Sequence, residues 1–273
     1  MGDEDDDGPG GGGGPGPGGG GDGVVEPAPG TRFPRLTHEQ WERTVRTLFR
    51  LDATTGMSEG FRSDPGQAGY LFDNNGQSLS VDEALWAGYQ RAAVDLAEDI
   101  TSDPARLEAI LPPDDGEARA RAERFVRSFG KRAHRRPLTD MQVDEYMALY
   151  DAAPALYDGM DPFDAGIRLM LEAFLQSPYF LYRVEQSTNE SDGVVPLDGW
   201  EIAARLSYFL WDSMPDEELF SLAESGALED PEVVASQAER MLEDDEAEHV
   251  LLDYHRQLLD VDKFESIRPS DTF

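Results

Sequence analysis

From Thr37 onward, apolar residues return every three or four positions, and almost every such stretch opens on a helix start signal. Thr37 with Gln40 makes a capping box ahead of Trp41, Val45, Leu48 and Phe49. Ser80 with Glu83 makes another ahead of Val81, Leu85, Tyr89, Ala93, Leu96 and Ile100, and Thr139–Gln142 and Asp198–Glu201 repeat the device. Asp103-Pro104, Asp161-Pro162 and Asp230-Pro231 put proline at the first helical position, where its missing N–H costs nothing. Gly130 reads as a left-handed helix end, and Gly226 as the end of another helix. No stretch alternates apolar and polar residues long enough to make a strand. The expected fold is all-α, about nine helices in multi-helix domains behind a disordered Gly/Asp-rich N-terminal tail.

That tail is residues 1–30. It holds fourteen of the 27 glycines, five prolines and seven acids with no Lys or Arg, too little apolar surface to offset the entropy of ordering it. Asp3, Asp5, Asp7 and Gly8 copy the opening of a calcium loop, but Gly14 stands where the closing acid belongs, so a solvated acidic linker is the favoured reading. Behind it the spacing predicts a helical module over 31–110 with a long Asn-Gly loop. A second module over 111–185 carries a basic run, and a third over 186–273 is apparently cut short at Phe273. The loop 52–79 contains Tyr70, Leu71 and Phe72 and is expected to be anchored against the helices. Asn75-Gly76 in it suits a turn of positive φ.

Composition excludes more than it assigns. The 273 residues include no cysteine, which removes disulfides, thiol nucleophiles, cysteine-ligated metals and covalently attached c-type haem. With 56 Asp plus Glu against 23 Lys plus Arg, the formal net charge is −33, and without the seven acids of the tail it is still −26. Such a chain is a poor partner for nucleic acid or anionic lipid, and no apolar run approaches the length that spans a bilayer. No signal peptide precedes the tail as written. Spacers of this kind commonly follow an export or lipid-anchor signal. The location is therefore extracytoplasmic or cell-surface if such a signal lies upstream of the written start, and cytoplasmic if Met1 is the true start.

Eight of the 23 basic residues fall between Arg119 and Arg136, beside one acid, Glu123. An anion site is one reading; an internal counterion cluster docking acidic helices is the favoured one. Glu246, His249 and Asp253 share a helix face, with His255 nearby, as half of a di-iron motif would, but there is no second Glu-x-x-His in the chain. His38, Glu39 and Glu42 resemble a zinc helix without its second histidine. A calcium role for Asp73, Asn75 and Asp82 lacks enough ligands, and structural pinning of the loop is favoured. The aromatic runs 179–182 and 208–211 read as core rather than as a ligand groove. No residue is assigned a catalytic role, and no metal or cofactor is expected.

Several strings together resemble the planctomycete-specific domains of unknown function found in multidomain exported proteins of planctomycetes and myxobacteria. Arg35-Leu36-Thr37, Thr44 through Leu48, Phe72 through Gly76 and Leu79-Ser80 are similar to the third of these domains. Phe125 through Thr139, with Lys131-Arg132-Ala133-His134-Arg135-Arg136-Pro137 at its centre, is similar to the fifth. Ser177 through Arg183, Ala204 through Trp211, Pro215 through Leu219 and Arg240-Met241-Leu242 are similar to the start of the fourth, the domain of unknown function 1592. Cysteines that members often carry before the basic run are absent here. The resemblance implies an extracytoplasmic setting, with other modules of the same assembly, c-type cytochrome-like domains or cell-surface polysaccharide as partners. The function expected is a helical scaffold or interaction module of an exported multidomain protein, with lipid anchoring as an option. The alternative is the N-terminal part of an extracytoplasmic redox or polysaccharide-acting enzyme whose active site lies in further C-terminal modules.

Overall fold

The computed structural model describes residues 32–64, 71–188, 190, 193–261 and 263. The expected tail over 1–30, its calcium-like opening and Tyr70 lie outside the described residues. Among the described residues eleven helices run in the order α1 (His38–Phe49), α2 (Glu83–Ser102), α3 (Pro104–Ile110), α4 (Ala118–His134), α5 (Asp140–Ala152) and α6 (Pro162–Gln176). They continue as α7 (Pro178–Leu181), α8 (Gly199–Leu210), α9 (Glu217–Glu224), α10 (Pro231–Leu242) and α11 (Asp245–Leu258). Among the described residues there is no multi-residue strand, so the all-α expectation stands. The helix number exceeds the expected nine partly because Ser177 caps a further single turn, α7, where Pro178 reads in sequence only as a stop.

The capping signals work as spaced. Thr37, Thr139 and Asp198 each complete a reciprocal box with the Gln or Glu three residues on. Asp103, Asp161 and Asp230 accept from the first free amides of the proline-started helices. Two signals are misplaced. The cap of α2 is Asp82, whose carboxylate accepts from Leu85 N at 2.9 Å, so the helix opens after Val81 and Ser80 is not its cap. Gly130 ends nothing: α4 runs on to His134, and the left-handed residue is Arg135 at φ 60°. A Cβ at Gly130 would lie 2.6 Å from a Leu138 methyl, so the glycine is there for close approach.

The larger core gathers one face of each helix from α1 to α7, with α6 at its centre. Ile167, Met170, Leu171 and Phe174 of α6 are fully buried against α2 on one side and α4 and α5 on the other. The smaller core joins α8 to α11 through Ala203, Trp211, Leu219, Leu228 and Met241, and the indole of Trp211 donates to Met241 O at 3.0 Å. An extended N-terminal segment ties the two ends of the first core. Leu36 N donates to Leu181 O, Arg183 N to Pro34 O and Glu185 N to Arg32 O, an antiparallel pairing centred on Arg35 and Tyr182. This pairing sets Arg183 and Glu185 beside α8.

The long loop is held at several points: Glu42 of α1 accepts from the amides of Thr55, Gly56 and Ser58, the buried Phe61 ring packs edge-on against Trp41 and Tyr89, and Phe72 anchors its far end. Phe72 stacks on Tyr254 of α11 with ring centroids 5.2 Å apart, whereas Leu71 is exposed. Gly76 is not among the described residues of positive φ; the turn closes instead with Ser78 N on Asn75 O at 2.9 Å and Gln77 N on the Asn75 side chain.

Candidate functional site

The basic run distributes itself along three kinds of partner. Arg119, Arg124 and Arg127 make exposed pairs with Asp151, Asp115 and with Glu123 and Asp140. Arg132 donates to Thr47 O at 2.9 Å and approaches Leu48 O at 3.4 Å, so a cation closes the C-terminal end of α1 where orphan carbonyls and the helix dipole favour it. Arg135 points inward. Its Nε donates to the Tyr208 hydroxyl at 2.8 Å, and its two terminal nitrogens serve Phe180 O, Tyr179 O and Tyr182 O. Arg136 reaches Asp198, the cap of α8, at 2.7 Å.

These contacts surround a cleft of about 410 Å³ between the 182–185 segment and α8. Four arginines line it, Arg135, Arg136, Arg183 and Arg205, against two glutamates, Glu185 and Glu201. Both glutamates are engaged. Glu185 takes Arg205 through two parallel bonds of 2.6 and 2.9 Å, and Glu201 accepts from the amides of Ser187 and Asp198 and from the Ser187 hydroxyl. Arg183 is different. Its guanidinium lies 5.3 Å from the Tyr208 ring centroid, which Arg135 also approaches at 5.0 Å, yet it makes no hydrogen bond or ion pair, and its Nε is buried without a partner. Burial pushes its pKa down. Arg136 Nη1 is likewise buried and unbonded, 4.0 Å from the nearest Glu201 oxygen.

Arg183, Asn74 and Phe209 also line an adjoining hollow of about 300 Å³ with the opposite character. Glu39, Asp73, Asp212 and Asp253 face it. Burial raises the pKa of both Asp73 and Asp212, and although Gln257 and Gln40 respectively bond to them, the neighbouring carboxylates add to the rise. A carboxyl held in this way keeps its proton to higher pH than an exposed one.

The motifs singled out in sequence are brought together only in part. Glu246 of α11 accepts from Arg43 and Arg46 of α1, and His249 meets Glu39. Asp253 bonds Gln257, and His255 Nδ1 lies 2.6 Å from Leu251 O. Glu42 is buried and accepts from the amides of Thr55, Gly56 and Ser58, pinning the loop after α1, while His38 sits 3.6 Å from Asp64. Asp82 is spent on its cap and on Arg62. Among the described residues no group of three or more His, Asp or Glu has metal-binding geometry. Of the aromatic runs, Phe180, Leu181, Tyr208 and Trp211 are core, but Phe209 is exposed at the rim of both hollows. Sequence reading met Arg183 only as the last residue of the family-like string Ser177 through Arg183 and gave it no role, because a lone cation directly after the aromatic run 179–182 carries no spacing that points to a ligand.

Three family models match the chain in succession. A planctomycete-specific domain described as a protein of unknown function (DUF1587) matches residues 34–102, a second (DUF1595) matches 121–185, and a third (DUF1592) matches 197–273. The chain therefore belongs to the proteins built from planctomycete-specific domains of unknown function. No curated protein and no solved structure matches it. The cleft takes residues from all three matched regions: Pro34, Asn74 and Gly76 from the first, Arg135, Arg136 and Arg183 from the second, and Trp200, Arg205 and Phe209 from the third. Among the described residues no helix is long and apolar enough to cross a membrane.

Proposed function

We propose that the chain is a helical scaffold and interaction module of an exported multidomain protein, in which three domains are locked together to present one cleft. The observation that carries this reading is the use of ionic side chains across domain boundaries. Arg43 and Arg46 of the first domain meet Glu246 of the third, Arg132 of the second closes the end of α1, and Arg135 of the second supports Tyr208 of the third. Charges engaged in this way fix geometry and register between elements, a use of partly buried ion pairs that suits a scaffold. The setting outside the cytoplasm is part of the proposal, and it is supported by the family resemblance rather than by the fold.

The test is protease accessibility in intact cells of the native host, read by an antibody against the chain alongside a cytoplasmic marker. Cleavage of the chain by added protease while the marker stays intact is the expected result. A chain protected to the same degree as the marker both in intact cells and after the outer envelope is permeabilised overturns the exported setting. Partial digestion of the purified chain tests the locking. Cuts confined to the loops, with the three domains remaining associated after cleavage, support it, and separate release of the region 197–273 overturns it.

A further inference from the structure

We infer that the cleft between the 182–185 segment and α8 is a binding site for a small organic oxyanion, a carboxylate or phosphate on a flat apolar body, gripped by the N–H groups of Arg183 and Arg136. A buried guanidinium ordinarily finds a carboxylate or carbonyls, because leaving its donors unpaired forfeits their hydration. Arg135, one helix end away, shows the ordinary outcome with bonds to the Tyr208 hydroxyl and three carbonyls. Arg183 has none of this, although the segment it sits on is fixed by the Arg183 N to Pro34 O bond and its guanidinium is braced by the Tyr208 ring.

Arg136, whose Nη1 is the second orphan donor, lines the same cleft. The cleft's own acids cannot answer either of them, since Glu185 is paired with Arg205 and Glu201 is taken up by the amides that open α8. In a chain of net charge −33 the arginine excess in this one hollow is a local inversion that attracts anions once they are near. The volume of about 410 Å³ exceeds what a bare inorganic ion fills, and Trp200, Ala204 and Phe209 give it an apolar wall. An anion with an aromatic or similarly flat body satisfies both halves. The site stands whether or not the chain serves as a scaffold.

Thermal unfolding of the full chain in benzoate, phenyl phosphate and neutral benzyl alcohol, at constant ionic strength made up with chloride, tests the inference. At ten times its Kd, a bound anion raises Tm by roughly 3–6 °C. Benzoate or phenyl phosphate is expected to do so and benzyl alcohol is not; the larger of the two anion shifts identifies the preferred headgroup. Arg183→Met is expected to melt at or above the parent without anion, because it removes an unanswered charge, and to lose the anion shift. Arg119→Gln, remote and exposed, is expected to keep it. Titration calorimetry with Arg183→Lys, which preserves charge and fold but not the Nε donor, is expected to weaken binding about tenfold, the loss of one charge-assisted bond. The inference is overturned if neither anion outperforms benzyl alcohol, if Arg183→Met retains the shift, or if Arg183→Lys binds as tightly as the parent.

Discussion

Arg135 and Tyr208, 73 residues apart, join the second and third domains: Nε donates to the phenol oxygen at 2.8 Å while the guanidinium also lies over the ring. Thr44 Oγ1 of α1 meets the same oxygen at 2.8 Å, so one hydroxyl unites three domains. The arrangement needs Arg135 in the left-handed region at φ 60°, a conformation that disfavours a side chain by about 1–2 kcal/mol, and the four bonds of the guanidinium offset it.

Arg135→Ala is therefore expected to destabilise the chain by roughly 3–5 kcal/mol in urea unfolding, because it leaves the Tyr208 hydroxyl and three backbone carbonyls without their donor. Arg132→Ala, which frees two carbonyls at the end of α1, is expected to cost about 1–3 kcal/mol. Arg119→Ala is expected to leave the midpoint where it was, since its pair with Asp151 is open to water. Equal midpoints for all three variants would contradict the assignment of Arg135 as a joint.

Gly166→Ala probes the packing of α5 on α6. A Cβ there would sit 2.1 Å from the Tyr150 ring, so the variant is expected to lose about 1–3 kcal/mol through overpacking. In a Tyr150→Ala background the same change is expected to cost almost nothing, and a double-mutant cycle in urea reads the difference.

His134 gives the chain a specific acid sensitivity. Burial, with a smaller contribution from Arg135, pushes its pKa down to about 3, and Tyr146 Oη stands 3.3 Å from Nε2. The unfolded chain binds a proton at this residue near the ordinary value of 6.5 and the folded chain does not. Its contribution is thus complete above pH 6.5 and is lost steadily as pH falls toward 3. Asp73 and Asp212, with raised pKa values, act in the opposite sense: the folded state takes up their protons first, which adds stability as pH falls through their folded pKa values toward 3.8. Urea midpoints measured from pH 7.5 to 4 should decline less steeply in His134→Phe than in the parent. Parallel curves would mean that the histidine accepts a proton in place.

Phe72→Ala should loosen the C-terminal part of the loop 52–79. Phe72 stacks on Tyr254, so the variant is expected to be cut in that part by a nonspecific protease several-fold faster than the parent. Calcium at millimolar concentration is expected to leave Tm unchanged, because Asp82 is occupied by the α2 amide and by Arg62. A rise in Tm that Asp73→Ala abolishes would make the loop a metal site.

The parts of this fold that were legible in sequence are those decided within four residues. Thr37–Gln40, Thr139–Gln142 and the Asp-Pro starts each carry their own partner, so spacing alone locates them. Gly130 was misread because glycine serves equally a left-handed cap and a close contact, and only the position of Leu138 separates the two. The basic run was legible as a charge anomaly, but a run does not say which cation finds a carboxylate, which finds carbonyls and which finds nothing. Arg183 was invisible for that reason: being without a partner is a property of its surroundings.

Glu246 closes against Arg43 and Arg46, the former 203 residues earlier in the chain. A ribosome releasing roughly 5–20 residues per second puts about 10–40 s between the emergence of α1 and that of the residue that answers its charges. The pairing of Leu36 with Leu181 imposes a similar wait on the segment before α1. The region 34–102, made before the other two matched regions, is thus completed only with the last of them, and through that interval it presents two unanswered guanidinium groups and an open edge to whatever receives a nascent chain.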